Sequence, residues 1–484
     1  MSNNNSRDTT MNDLPFPDRP RLRRIDERFR PDFFKFSKRY TLAILSHIGF
    51  AITFAIRSNE CIHKGSVEDD VDRLYALFMT LWFLFAYFLV QIPAGICSYK
   101  HSATHLFGIC ILGASITSFL TPITVGWFKP AIQYSAFLQG IFQGAASPAY
   151  FSMWRYWAPP LERSTLVTLG YAGTFSGVVI GYQLSVTFCS VFTWEKILYV
   201  YGLMGICWYL AWLWLVFEHP SQHPTIMDQE YVYLQQTVTI KQETPASPIP
   251  WKKIFTNLPI CALFVSSFSR AWSLEDFQHS MYSQVKDHKE FGFLHIELYN
   301  LIMALSIPAA GFAADILLQK TSLSVTKLRK IYISGGLVIN ALFFIPALFN
   351  VQFTSAWYEI SFWPVMVIYC ISIAGFYANH LDIAAKYAGI TMALTNVIQT
   401  VAALLPTEFE FELFRFLENH RMSYILTIMT VFIGGGIFYY LYGSGEEQNL
   451  EDKPIEGENK EEETRGFENF ASVNDWNPAE VLVE

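Results

Sequence analysis

Charge is scarce in this 484-residue chain: Asp, Glu, Lys and Arg make up 16% of it against 52% hydrophobic residues, where a soluble chain carries about 25% charged residues. That balance excludes a sizeable soluble catalytic domain. No G-x-x-x-x-G-K-[ST] string is present to cradle nucleotide phosphates, so a pump driven directly by ATP is not expected. No H-E-x-x-H string and no inward-facing Cys/His cluster occurs, so no metal, no cofactor and no intramembrane enzyme is expected. The seven cysteines (Cys61, Cys97, Cys110, Cys189, Cys207, Cys261 and Cys370) are scattered through mostly apolar runs, without disulfide or metal spacing. No basic stripe interleaved with aromatics invites nucleic acid. The first 39 residues hold no apolar h-region, which argues against a cleavable signal peptide and leaves the first span as the insertion signal. Period-two alternation is missing too, so an outer-membrane barrel is excluded.

What the chain does have is long apolar runs. Twelve of them, near 40–57, 74–96, 104–126, 129–152, 165–190, 196–217, 254–273, 295–317, 328–349, 357–378, 386–406 and 421–443, are each long enough to cross a hydrocarbon core of ~30 Å as a helix. The pattern predicts an all-α membrane protein of twelve transmembrane helices in two six-helix halves. The predicted units are an N-tail (1–39), an N-terminal half (40–217), a linker (218–253) rich in proline, a C-terminal half (254–443) and a tail (444–484). Lys and Arg concentrate in the N-tail and in the loops after spans four, six and eight, which puts both tails on the cytoplasmic side. The net charge of −8 sits in the tail: residues 444–484 hold 13 acidic and 3 basic residues, leaving +2 for the rest. A segment of that composition is expected to stay solvated and disordered. Gly140 and Gly144 in span four, and Gly173, Gly177 and Gly181 in span five, recur every four residues and predict close helix contacts. Two halves joined by a linker is also the layout of alternating-access carriers, whose substrate site lies between the halves near the midplane.

Charges inside spans are costly and therefore candidate functional groups. Arg57 ends span one and Arg270 lies deep in span seven, the equivalent helices of the two halves. Two guanidinium groups facing one cavity would clamp an anion bidentately. The bland alternatives are a snorkelling Arg57 and an ion pair of Arg270 with Glu275 or Asp276. Asp315 and Asp382, at the ends of spans eight and ten, read as gating or packing contacts to loop Arg or Lys. Arg155, Glu162 and Arg163, in the loop after span four, belong to the same gating or structural group. His380 beside Asp382 has an imidazole able to titrate near neutral pH, although a helix-end histidine is more often structural.

Several strings resemble one family. Arg155-Tyr-Trp-Ala-Pro-Pro-Leu-Glu-Arg-Ser164, Tyr199-Val-Tyr-Gly202, Glu218-His-Pro-Ser-Gln-His-Pro-Thr225, Pro250-Trp251-Lys252 and Asn379-His-Leu-Asp-Ile-Ala384 look like the vesicular glutamate transporters. These are a branch of the sodium/phosphate cotransporter and sialin anion carriers in the major facilitator superfamily. The match runs from about Lys38 to Gly445 and implies the major facilitator fold. It also implies transport of a small anion such as glutamate, phosphate or an acidic sugar, coupled to the membrane potential or to H+, Na+ or Cl−. Vesicles, synaptic ones among them, are the implied location, with lysosome or plasma membrane as alternatives.

By the same resemblance Arg57 and Arg270 match the family's substrate-binding arginines. Four positions depart: the family's span-two histidine falls on Thr80, its span-four arginine on Ala136, its span-four glutamate on Gln143 and a further histidine on Phe151. Gln143 cannot titrate, which puts proton coupling through that position in doubt. The stretches after the two arginines, Ser58–Asp72 and Ser273–Glu290, are polar and acidic, unlike the family. A non-transporting, sensor-like member is the competing expectation.

Overall fold

The computed structural model describes residues 22–28, 37–58, 70–128, 130–188, 193–238, 248–285, 292–345, 355–414 and 420–450. Among the described residues all regular structure is helical, and the long helices form twelve rods. Six precede the linker: α1 (Lys38–Arg57), α2 (Asp70–Lys100), α3 (Ala103–Trp127), α4 (Ala131–Trp157), α5 (Arg163–Tyr171 continued by Gly173–Phe188) and α6 (Trp194–Leu215). Six follow it: α7 (Leu258–Val285), α8 (Gly292–Lys320), α9 (Val325–Lys330 continued to Leu342 through a π turn), α10 (Ser355–Ala384), α11 (Ala388–Phe414) and α12 (His420–Tyr442). The expected fold class is therefore the observed one. Boundaries shift at polar ends: α2 begins at Asp70 and α7 runs on to Val285, because helix geometry continues past the last apolar residue.

Among the described residues seven stretches are long and apolar enough to cross a membrane, the last of them, Trp363–Ala403, covering most of α10 and α11. The α4 helix falls outside that set for a physical reason. Its polar residues Ser135, Gln139, Gln143, Ser147 and Ser152 are all buried inside the bundle, where protein rather than lipid surrounds them. Large apolar side chains such as Phe85, Leu203, Leu210, Leu305 and Phe312 are exposed instead. An apolar exterior of that extent suits a bilayer and not water.

Glycine sets the spacing of the helices. A Cβ at Gly173 or Gly177 would meet the carbonyl oxygens of His47 and Ala51 on α1, and one at Gly140 the carbonyl of Phe83 on α2. The expected stripes are therefore contact faces, as small residues at membrane helix crossings permit. Trp208 and Trp212, stacked at 4.9 Å, donate their indole N–H groups to the carbonyls of Leu45 and Thr104, so both pack inside rather than anchor at an interface.

The described part of the linker before residue 239 is docked on the N-terminal half. Glu218 accepts hydrogen bonds from Ser102 Oγ (2.6 Å), Thr104 Oγ1 (2.7 Å) and the N–H groups of Ala103 (3.2 Å) and Thr104 (2.9 Å), capping α3. Glu230, on the linker helix Asp228–Thr237, accepts from the N–H groups of Lys38 (2.8 Å) and Arg39 (3.1 Å), capping α1. Both carboxylates thereby satisfy donors that a helix start leaves open. The start of the expected tail is docked as well: Asn379 donates to Ser444 O at 2.7 Å, Gln448 N–H donates to Ile383 O at 2.8 Å, and Leu450 is buried. The disorder expected of 444–484 does not extend to Ser444–Leu450, because these polar contacts and Leu450 hold them to the C-terminal half. Residues 451–484 lie outside the described residues.

Candidate functional site

The chemistry between the halves centres on Arg270 of α7. Its guanidinium lies over the ring of Phe376 (4.5 Å to the centroid), with Tyr377 at 5.7 Å and Tyr369 at 5.9 Å. Nη1 donates to the Tyr369 hydroxyl at 3.3 Å. Nε and Nη2 are buried and have no hydrogen-bond partner among the described residues. Those two atoms form one edge of the guanidinium fork, the edge that binds a carboxylate with two parallel hydrogen bonds. A buried cation with an open bidentate edge is costly to keep unless an anion occupies it part of the time. The expected partners Glu275 and Asp276 have side chains outside the described residues.

Arg57 stands apart from the aromatic rings that hold the Arg270 guanidinium, on the ring of Phe83. It is exposed at the end of α1, with its guanidinium 4.6 Å from the Phe83 ring centroid. Between the two arginines stand tyrosines: Tyr87 of α2 is within electrostatic reach of Arg57 and Tyr171, and Tyr171 of α5 packs on Tyr377 of α10 at 4.3 Å. The sequence reading missed this row. Its signal was present in α10, where Tyr369, Phe376, Tyr377 and His380 recur at helical spacing on one face.

The departing positions divide in two. Thr80 is exposed on α2 and Ala136 is partly exposed on α4. Gln143 and Phe151 are buried in the core. Gln143 donates to Thr53 O (3.3 Å) and Gln139 Oε1 (3.1 Å), and its own Oε1 has no partner. Phe151 packs against the His380 ring at 5.6 Å and against Tyr377 at the same distance. His380 is fully buried, Nδ1 bonded to Phe376 O at 3.0 Å and Nε2 to Thr395 Oγ1 at 3.1 Å.

At the linker end the halves are latched. Asp382 of α10 accepts from Arg163 Nη1 (2.9 Å) across the interface and from Arg329 Nε (2.7 Å) of its own half. Arg329 Nη1 reaches across to Ser164 Oγ at 3.0 Å. Asp315 of α8, within electrostatic reach of Arg329, also caps α5, accepting from the N–H groups of Ser164 (3.2 Å) and Thr165 (2.6 Å) and from Thr165 Oγ1 (2.7 Å). Beside this latch, Tyr99 of α2 stacks on Tyr387 at 5.2 Å, and Asn396 of α11 donates to Gln91 Oε1 at 3.2 Å. Glu162 binds Arg39 through two hydrogen bonds, 2.8 and 3.1 Å, and Arg155 stacks on Tyr156 at 4.3 Å. Sequence reading had no access to Arg39, Glu230 and Arg329, which are ordinary loop-flanking charges until the fold joins them.

Six helices on either side of a linker, with a buried arginine between them and a latch at one end, are the build of an alternating-access carrier. The comparisons agree. The Major Facilitator Superfamily profile matches residues 41–406. The bundle resembles the proton:xylose symporter XylE (TM-score 0.63, 13% identity, 84% of this chain and 96% of that one). It also resembles the human organic anion transporter MFSD10 (TM-score 0.58, 13% identity, 83% and 99%). This chain belongs to the Major Facilitator Superfamily and is a secondary anion transporter of the membrane, not an enzyme.

Its relatives narrow the placement. Vesicular glutamate transporter 2 of Homo sapiens is 31% identical over 457 residues, 88% of this chain and 78% of that protein. Vesicular glutamate transporter 2.1 of Danio rerio is 31% identical over 473 residues, 90% of this chain and 80% of that protein. Within the superfamily the chain belongs to the vesicular glutamate transporter branch.

Proposed function

We propose that the chain carries L-glutamate into vesicles, driven by the membrane potential, with Arg270 as the principal anion contact. The open Nε/Nη2 edge of Arg270 carries this reading, and the names of the relatives supply the substrate. A carboxylate on that edge gains two charge-assisted hydrogen bonds in a water-poor setting. The stacked Phe376 and the Tyr369 hydroxyl hold the guanidinium plane so that little ordering is left for binding. Arg57, exposed at the opposite end from the linker, acts first by attracting the anion and then by sharing its charge. With both tails cytoplasmic, the latch of Arg163, Asp382, Arg329 and Asp315 closes the cytoplasmic side. Transport then requires that latch to break while the other side closes, the rocking of one half against the other.

The deciding experiment is uptake of labelled glutamate into proteoliposomes under an imposed potential. Arg270→Ala and Arg270→Lys are expected to abolish it at normal expression, Lys failing because a point charge does not reproduce the fork. Uptake by Arg270→Ala equal to the parent's would refute the assignment. The losses at Thr80, Ala136, Gln143 and Phe151 favour two other readings. Sodium- or proton-driven phosphate uptake in the same vesicles would place the chain with the cotransporters, and no uptake in any gradient would make it a non-transporting member.

A further inference from the structure

We propose that His380 is a proton site coupled to the anion at Arg270. The proposal rests on the reading of the chain as an anion carrier. Its geometric basis is a shared ring: the Arg270 guanidinium lies 4.5 Å from the Phe376 ring centroid, and the His380 imidazole meets the same ring edge-on at 4.7 Å. The anion-binding cation and the imidazole therefore both touch one aromatic ring.

The hydrogen bonds of His380 serve both of its protonation states. Phe376 O can only accept, so Nδ1 carries a hydrogen in either state. Nε2 faces Thr395 Oγ1, a hydroxyl, which both donates and accepts. With a neutral ring the Thr395 hydroxyl donates to Nε2. With a proton on Nε2 the ring donates to Oγ1, and the hydroxyl hydrogen turns to Met392 O, 2.9 Å away. One N–H bond forms with a proton taken from water, and no heavy atom has to move. A histidine kept only for packing has no need of a partner that can reverse its role.

The charges around the ring supply the coupling. From α7 the facing group is Arg270; from α10 they are Tyr377 and, two residues on, Asp382, whose charge is already shared by Arg163 and Arg329. From α5 it is Tyr171, reached through Tyr377. The α4 helix presents Phe151 and α11 presents Thr395, neither of which titrates. Arg270 and an imidazolium at His380, both against Phe376, repel each other, and an anion seated on Nε and Nη2 cancels that repulsion. Anion and proton therefore strengthen each other's binding, by the reciprocity of linked equilibria.

The test is binding of labelled L-glutamate to the purified full chain between pH 5.5 and 8, with proton uptake followed by an indicator dye in weak buffer. The parent is expected to bind more tightly as pH falls, by up to about tenfold per pH unit where one proton is coupled, and to take up protons on binding. His380→Asn is expected to bind with a flat pH profile and no proton uptake. Thr395→Val removes the hydroxyl that accepts from the protonated ring, so its profile moves to lower pH, and Thr395→Ser restores it. A merely structural histidine would lower the melting temperature without moving the profile. Proton uptake undiminished in His380→Asn, or a Thr395→Val profile superimposed on the parent's, overturns the proposal and leaves the carrier reading intact. Failure of the parent to bind glutamate at any pH overturns both.

Discussion

Removing the Arg163 side chain should loosen one end of the bundle and leave the rest unchanged. Arg163 supplies a charged hydrogen bond across the interface, Nη1 to Asp382 Oδ1 at 2.9 Å, with the carboxylate side chain 4% exposed and the guanidinium 14% exposed. Hydrogen bonds to charged groups contribute about 1.5–3 kcal/mol. Loss of that bond shifts the equilibrium between latched and open forms by roughly 10- to 150-fold. Asp382 stays paired with Arg329 at 2.7 Å in the variant, so no buried charge is orphaned and the fold persists. Hydrogen exchange reads the shift at named atoms, because the amides of Ser164 and Thr165 are bonded to Asp315 of the other half and are freed only when the halves part. In Arg163→Ala those two amides should exchange faster by the same factor, while the amides of Lys38 and Arg39, capped by Glu230 within the N-terminal half, keep their rates. Unchanged exchange at Ser164 and Thr165 would refute the latch, and equal acceleration at all four would show general destabilisation instead.

Asp382→Asn removes the charge shared by two arginines, one of them fully buried, and turns one of its two acceptors into a donor, so it should cost about 3–5 kcal/mol, read as a large fall in melting temperature. Gly177→Ala drives a Cβ into the Ala51 carbonyl and should cost about 1–3 kcal/mol, whereas Gly434→Ala, with nothing within 4 Å of the new Cβ, should be neutral or stabilising; similar melting temperatures would contradict the packing argument. Burial, with Lys38 nearby, pushes His223 of the linker down to about 3. Its unfolded value is near 6.5, so its contribution is complete above that pH and is lost as pH falls toward 3, by up to about 1.4 kcal/mol per unit. The fall in melting temperature between pH 7 and 5 should therefore shrink in His223→Phe. Gln143→Glu places a carboxyl against two acceptors, Thr53 O and Gln139 Oε1, where only its protonated form can donate. Its uptake should be steeper toward acid than the parent's, and an unaltered pH profile would show that position 143 no longer bears on coupling.

Much of this protein was legible in the linear chain, because the bilayer imposes constraints that act locally. A segment must hide its own backbone polar groups as it crosses hydrocarbon, so apolar length alone marks the spans, and a charge such as Arg270 stands out against its immediate neighbours. Glycine stripes are equally local, since spacing by four places them on one face of their own helix. The strings around Arg155–Ser164 and Asn379–Ala384 likewise placed the family without coordinates. Pairings between distant segments were decided by tertiary structure alone. Asp315 reads in sequence as one more helix-end acid, and only the meeting of α8 with α5 makes it a cap, 150 residues away from the amide of Thr165. Glu218 and Glu230 look like linker solvation and are in fact the caps of α3 and α1. The tyrosines between Arg57 and Arg270, and the meeting of Arg270 and His380 at Phe376, come from α2, α5, α7 and α10. Sequence spacing can place residues on a helix face, but which faces meet depends on the summed packing of the whole bundle, and the charges find their partners only there.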